Sequence, residues 1–468
     1  MSVLVQIDYL SIVAASPASG ETHSDPVAPI LISLVLIAFA AALGGHLVKK
    51  LGQPAVLGEL AVGAIVANVS YYLGGSVFTV LREGNAIRLI MRQALTQNES
   101  MAEAARTLLS PGAGKDRLIE VLSGPSGAAA IEVYHFVDIL SRIAVIVLLF
   151  LVGLETSVRE MRKVGKPSLF VAIIGVVAPF LLGLGAVTLF DADLSLNRSL
   201  FIGVILTATS VGITARIFRD LRQEARPEAR IILGAAVIDD VLGLLFLAIL
   251  TGFITTGTVN VWSVGLISLK AVLFLAGSIA LGEWLTPWII ALMARLKIAN
   301  AKLLFGLGVA FGLSWLASEA GLASIVGAFA AGLVLEEIFF DELREEHSLR
   351  HLLSPLESLI VPIFFVLIGM QVKAETFADL RVALMAGGLT AAAILGKLVS
   401  GLGCSASLSR LAVGVGMMPR GEVALIFAGI GKGLGVIGDG IFSAVVVMVF
   451  TTTFLTPPLL KFALRERA

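Results

Sequence analysis

Two adjacent carboxylates, Asp239 and Asp240, interrupt a run that is otherwise apolar from Ile231 to Leu250, in the stretch GAAVIDDVLGLL (234–245). An ionisable residue at bilayer depth costs about 2.5–3.5 kcal/mol on insertion scales, and a pair roughly twice that. Neighbours on a helix diverge by about 100°, so the two carboxylates cannot share one direction, which leaves one free to face a cavity and the other a protein partner. The plain structural reading is two acids satisfied by surrounding helices, which a single apolar substitution would achieve more cheaply. Burial penalises the charged form of a carboxyl group. A proton and a cation therefore compete for it, and competition for one site is the minimum apparatus of exchange.

Lys397, in AAILGKLVSGLG, lies mid-span and far from either interface. Its charge is tolerable only beside a carboxylate, either as a purely structural ion pair or as one that an arriving cation breaks. Two further stretches are apolar but unfriendly to a continuous helix. In LTATSVGITAR (206–216), Thr207, Thr209, Ser210 and Gly212 offer hydroxyls and freed carbonyls. In GVGMMPRGEVAL (414–425), Pro419 removes a donor while Arg420 and Glu422 add opposite charges, expected to pair with each other or across helices and hold a crossing together. Half-helix ends in such breaks bring partial charges into the membrane.

The elements that must position these groups are membrane helices. Of 468 residues 57% are hydrophobic and only 15% charged, with a mean hydropathy of +0.97, and apolar runs of about 20 residues recur along the chain. Thirteen spans are expected, at 28–47, 54–74, 136–154, 167–190, 198–216, 230–256, 263–290, 302–318, 321–337, 355–371, 380–403, 407–432 and 436–462. Lys and Arg number twenty in the loops of one side and four in the short loops of the other. The positive-inside rule then puts the N-terminal segment 1–27 outside and the tail 463–468 in the cytoplasm. Zero formal charge leaves no footprint for nucleic acid. One cysteine, Cys404, excludes a disulfide framework and a cysteine-based zinc site, and nothing calls for a cofactor.

Residues 75–135 break the pattern with charges, Pro111, Pro125 and several glycines. They read as an extracytoplasmic insertion within the 28–462 membrane domain, a solvent-exposed decoration of short amphipathic helices, with a partner-binding or lid role as the alternative. A weak internal repeat relates FLVGLETSVR (150–159) to FVLIGMQVKA (365–374). Each copy is followed by an apolar span, an interrupted helix and another span, and the two copies are inverted in the membrane. Paired interruptions in an inverted repeat point to a secondary transporter with its site near the midplane. Other matches carry less. GLGVIG (433–438) has no preceding strand, and PGAGKD lacks the first glycine and the Ser/Thr of a P-loop. His347 and His351 read as solvated histidines of a charged loop beside Glu345 and Glu346, and Ala323, Gly327 and Ala331 as a small-residue packing face.

GQPAVLGELAVGAIVA (52–67), LLFLVGLE (148–155), TATSVGITARIF (207–218), GAAVIDDVLGLL, GAFAAGLVL (327–335) and PRGEVALI (419–426) resemble the cation:proton antiporter superfamily. The branch is monovalent cation:proton antiporter-2, and more narrowly the bacterial NapA-type sodium/proton antiporters. The resemblance runs from about 28 to 462, apart from the insertion. It implies an all-α polytopic transporter, not an enzyme, in the inner membrane, with two crossed discontinuous helices and a second domain that forms a homodimer. It implies Asp240 as the essential cation- and proton-binding carboxylate, Asp239 as the partner of Lys397, and Thr209–Ser210 and Pro419–Glu422 as the crossing. Asp-Asp members are expected to be electrogenic. The substrates implied are sodium or lithium and protons, with potassium/proton exchange as the alternative and a cation channel behind it. No nucleotide-binding domain is expected. An intramembrane aspartyl protease would need its two carboxylates on facing helices, which neighbours on one helix do not supply.

Overall fold

The computed structural model describes residues 27–73, 75–108, 113–155, 165–190, 195–220, 223, 226–256, 261–296, 300–335 and 347–465. The N-terminal segment, much of the basic stretch 159–166, the acidic stretch 336–346 and the last three residues lie outside them. Among the described residues there is no strand. The helices are α1 Ala28–Lys50, α2 Ala55–Leu73, α3 Ser76–Glu83, α4 Asn85–Gln97, α5 Met101–Leu108, α6 Ala113–Ser123, α7 Gly127–Glu155, α8 Lys166–Phe190, α9 Leu196–Thr207 and α10 Val211–Asp220. They continue with α11 Pro227–Thr256, α12 Val261–Leu296, α13 Ala301–Glu319, α14 Ser324–Val334, α15 Leu349–Met370, α16 Leu380–Ser400, α17 Arg410–Gly416, α18 Glu422–Gly433 and α19 Asp439–Arg465.

Ten of these helices are long and apolar enough to cross a bilayer, so the chain is an all-α polytopic protein. The other three expected spans differ from a plain crossing. Two are interrupted, as α9/α10 and α17/α18, and the third is the short helix α14. Helix α7 starts at Gly127, ahead of the expected window, and the charge inside that window has a partner: Asp138 Oδ2 lies 3.9 Å from Arg88 Nε of α4.

The chain divides into two compact units, 1–141 with 362–374, and 142–361 with 375–468. In the first unit the expected short amphipathic helices are present, and what is corrected is their standing as a solvent-exposed decoration. Helices α3–α6 contribute Val80, Leu81, Ile90, Ala104 and Leu118 to one core with Ile37, Ala67 and Val366. Their apolar residues fall on one face at helical spacing, and burying that face outweighs leaving it in water. A partly buried polar net ties the insertion down. Arg82 Nη2 donates to Asn68 Oδ1 at 3.1 Å, Asn68 Nδ2 donates to the carbonyl of Val372 at 2.8 Å, and Lys373 Nζ lies 2.7 Å from Glu83 Oε2. At the exposed end of α5, Ser100 and Glu103 form a capping box: Glu103 N donates to Ser100 Oγ at 3.2 Å and Ser100 N to Glu103 Oε2 at 3.1 Å. These bonds hold the Glu103 carboxyl below the usual carboxylate range.

The second unit is organised by packing that occurs twice. Helix α8 packs on α9 and α11 as α16 packs on α17 and α19, and α8 packs on α16. That last contact is close: a Cβ on Gly396 of α16 would sit 2.6 Å from Pro179 Cα of α8. In α14, Gly327 presses on Leu313 and Ser314 of α13, where a Cβ would lie 2.7 Å from Ser314 Cα, so the small-residue face is a packing face.

Candidate functional site

The first interruption is three residues, Ala208–Ser210, between α9 and α10; the second runs from Met417 to Gly421 between α17 and α18. Helix ends leave carbonyls and N–H groups without intrahelical partners, and here each break supplies the other's. Ser210 N donates to the carbonyl of Pro419 at 2.9 Å. Thr209 Oγ1 donates to the carbonyl of Met417 at 3.3 Å, and Thr214 Oγ1 to that of Gly416 at 3.0 Å. Arg420 Nη1 donates to the carbonyl of Thr207 at 3.2 Å and to that of Ala208. Ser210 Oγ donates to Glu422 Oε2 at 3.2 Å, and Thr453 of α19 donates to the carbonyl of Arg420.

The charges at these ends are complementary. Arg420 sits against the carbonyl end of α9 and Glu422 occupies the first turn of α18, each opposing the partial charge of the half-helix it meets. Arg420 is fully buried. Arg420 and Glu422 are thus bonded across the breaks. Gly421 is required by proximity: a Cβ there would lie 2.6 Å from Ser210 Oγ. Thr207 Oγ1 bonds back to Val204 O at 2.8 Å, a local bond common for threonine in helices, and Gly212 lies in the first turn of α10.

Helix α11 carries Asp239 and Asp240 to this junction, and one turn on, a Cβ on Gly243 would be 3.6 Å from Phe427 of α18 and 3.7 Å from Thr207 Oγ1. Lys397 Nζ lies 2.9 Å from Asp239 Oδ2, with both side chains 0% exposed. Room for that ammonium comes from Gly175 of α8, whose added Cβ would stand 3.5 Å from Nζ. Asp240 is 2% exposed. It lies in the electrostatic field of Asp239, Glu422 and Lys397. Its Oδ1 has no hydrogen-bond partner among the described residues.

The two aspartates therefore differ in a way that matters chemically. Asp239 has a cation beside it, while Asp240 is a buried acid with none at ion-pair distance among the described residues. A buried charge without a counter-charge is not sustained, so Asp240 requires a proton or a mobile cation. Among the described residues no three His, Cys, Asp or Glu side chains gather as a metal centre.

Sequence reasoning did not single out four residues of this site. Thr214 and Gly421 lie inside the interrupted stretches, where any polar or small residue is a candidate. Thr453 belongs to the run Thr451–Thr453, and Gly175 carries no sequence signal at all, being one of 48 glycines.

The family described as sodium/hydrogen exchanger, transmembrane, matches residues 118–466. The chain is 36% identical over 460 residues to the high-affinity Na+/H+ antiporter NhaS3 of Synechocystis, covering 96% of this chain and 93% of that one. It is 30% identical to the Na+/H+-K+ antiporter GerN of Bacillus cereus, over 92% of this chain and 95% of that one. The structure of the sodium proton antiporter MjNhaP1 of Methanocaldococcus jannaschii superposes with a TM-score of 0.62 at 16% identity, covering 94% of this chain and 99% of that chain, a likeness of fold.

Proposed function

The chain belongs to the transmembrane sodium/hydrogen exchanger family, and from that membership we infer that it is a multi-pass membrane transporter exchanging sodium ions for protons. The observation that carries a mechanism is the unlike state of two adjacent aspartates. Asp240 is the group that a proton and a sodium ion occupy in turn, because it is buried and no cation among the described residues pairs with it. Asp239 is held by Lys397 at 2.9 Å. A cation arriving at the pair weakens this contact and lets the lysine proton leave, so the cycle moves more protons than sodium ions and is electrogenic.

Thr209 and Ser210, with the carbonyls freed in the two breaks, complete the cation's oxygen shell. Thr207, Gly212, Pro419, Arg420 and Glu422 keep the breaks in register. Alternating access moves this site between the two faces of the inner membrane, with thirteen crossings, the N-terminus outside, the C-terminus in the cytoplasm and a homodimer as the working unit. Protons loaded from outside leave inside in exchange for the outgoing cation.

The test is Asp240→Asn in proteoliposomes, read as cation-dependent dissipation of an imposed pH gradient. Loss of exchange is expected; activity within a few-fold of wild type overturns the assignment. Running the wild type with sodium, lithium and potassium in turn identifies the cation, and cation movement without coupled proton flux would make the protein a channel.

A further inference from the structure

We propose that His347 and His351, at the start of α15, form a chelating site for a borderline transition-metal ion of the Zn2+ class, separate from the transport site. Both side chains are exposed; His347 precedes the helix by two residues and His351 lies in its first turn, so the bend before Leu349 brings the two rings together. Their ring centroids are 4.6 Å apart with the planes tilted by 41°.

That separation suits a shared metal. A Zn–N bond of about 2.0–2.1 Å places each imidazole centroid about 3.2 Å from the ion, so two rings sit roughly 4.5 Å apart at a 90° ligand angle and roughly 5.2 Å at a tetrahedral one. Two imidazoles with water in the remaining positions form an N-donor set that selects Zn2+, Ni2+ or Cu2+ over Mg2+ and Ca2+, which prefer oxygen.

The pair is held in place before any ion arrives. The side chain of Lys302, 3% exposed, donates to the carbonyl of His347 at 2.9 Å. His351 N donates to Ser348 Oγ at 3.2 Å, and Leu352 N to the carbonyl of Ser348 at 3.0 Å. Both ligand-bearing backbones are therefore anchored, one by a buried lysine and one by a helix-start bond, and the ordering left for the metal to impose is that of the two imidazoles. A bound ion adds a cross-link over the first turn of α15.

The experiment titrates the full-length protein in detergent, its purification tag removed, with Zn2+ and separately with Mg2+, by calorimetry. One saturable Zn2+ site per chain is expected, with no Mg2+ site. Losing either imidazole removes the chelate advantage, on the order of 100-fold in affinity, so His347→Gln and His351→Gln both lose the site. His46→Gln, on α1, keeps it. Zn2+ also raises the melting temperature of the wild type but not of His351→Gln, as binding to the folded state alone requires. No saturable Zn2+ site in the wild type, or unchanged affinity in His351→Gln, overturns the proposal.

Discussion

Removing Lys397 tests the energetic separation of the two aspartates. The ammonium and Asp239 lie 2.9 Å apart with neither side chain exposed. At an effective dielectric near 20 the attraction is roughly 6 kcal/mol, offset by a desolvation penalty of several kcal/mol per ion. Breaking such a pair from one side leaves an uncompensated buried carboxylate and costs about 3–5 kcal/mol, whereas replacing both partners with neutral groups is often close to neutral. Lys397→Met is therefore expected to melt well below wild type in detergent, and Lys397→Met with Asp239→Asn to recover much of the loss. Sodium should raise the melting temperature of the single variant more than that of wild type, because the stranded carboxylate gains a cation. The readout is the order of the melting temperatures, with and without sodium. If the single and double variants melt together, the pair is not energetically coupled and the assignment of Lys397 to Asp239 fails.

Three further outcomes follow from the packing. At Gly175 an added Cβ meets Lys397 Nζ at 3.5 Å and Ser400 Cβ at 3.4 Å; Gly175→Ala should retain exchange in proteoliposomes, and Gly175→Val, whose branches enter the space of the ammonium, should lose most of it. Arg420→Gln removes a buried guanidinium from the carbonyls of Thr207 and Ala208, with hydrogen bonds to charged groups contributing about 1.5–3 kcal/mol each. A lowered melting temperature and lost exchange are expected, with Arg420→Lys recovering only part because a point charge does not reproduce the planar fork. In the insertion, Leu81 is 0% exposed and Leu89 is 47% exposed. Leu81→Ala should destabilise by about 2–5 kcal/mol while Leu89→Ala stays within about 0.5 kcal/mol, and equal melting temperatures for the two would return the insertion to the status of a surface decoration.

The fold class was legible because its signal is local: a bilayer demands about 20 apolar residues per crossing, and those runs are visible in any window. The breaks were legible for a similar reason, since glycine, hydroxyl residues and, in the second, proline cluster within a few positions there, whereas a lone Pro179 is accommodated inside the continuous helix α8. Residues 75–135 misled because charge and proline mark loops on average. Whether an amphipathic face such as that of Val80 and Leu81 finds a partner depends on Ile37, Ala67 and Val366, scattered over nearly 330 positions. The same dependence on distant segments hid Gly175.

By itself, then, the sequence determined a polytopic helical protein with an expensive pair of carboxylates, a mid-span lysine and two interrupted helices. Helical geometry dictated that Asp239 and Asp240 face different ways. Which of them meets Lys397, 157 positions or more along the chain, follows from the close approach of α8 and α16 at Pro179 and Gly396. That approach aims the lysine at Asp239 and leaves Asp240 without a protein cation among the described residues. The number and depth of the charges are properties of the chain; their pairing is a property of packing, because ion pairs form over a few ångströms that only the folded helices bring about.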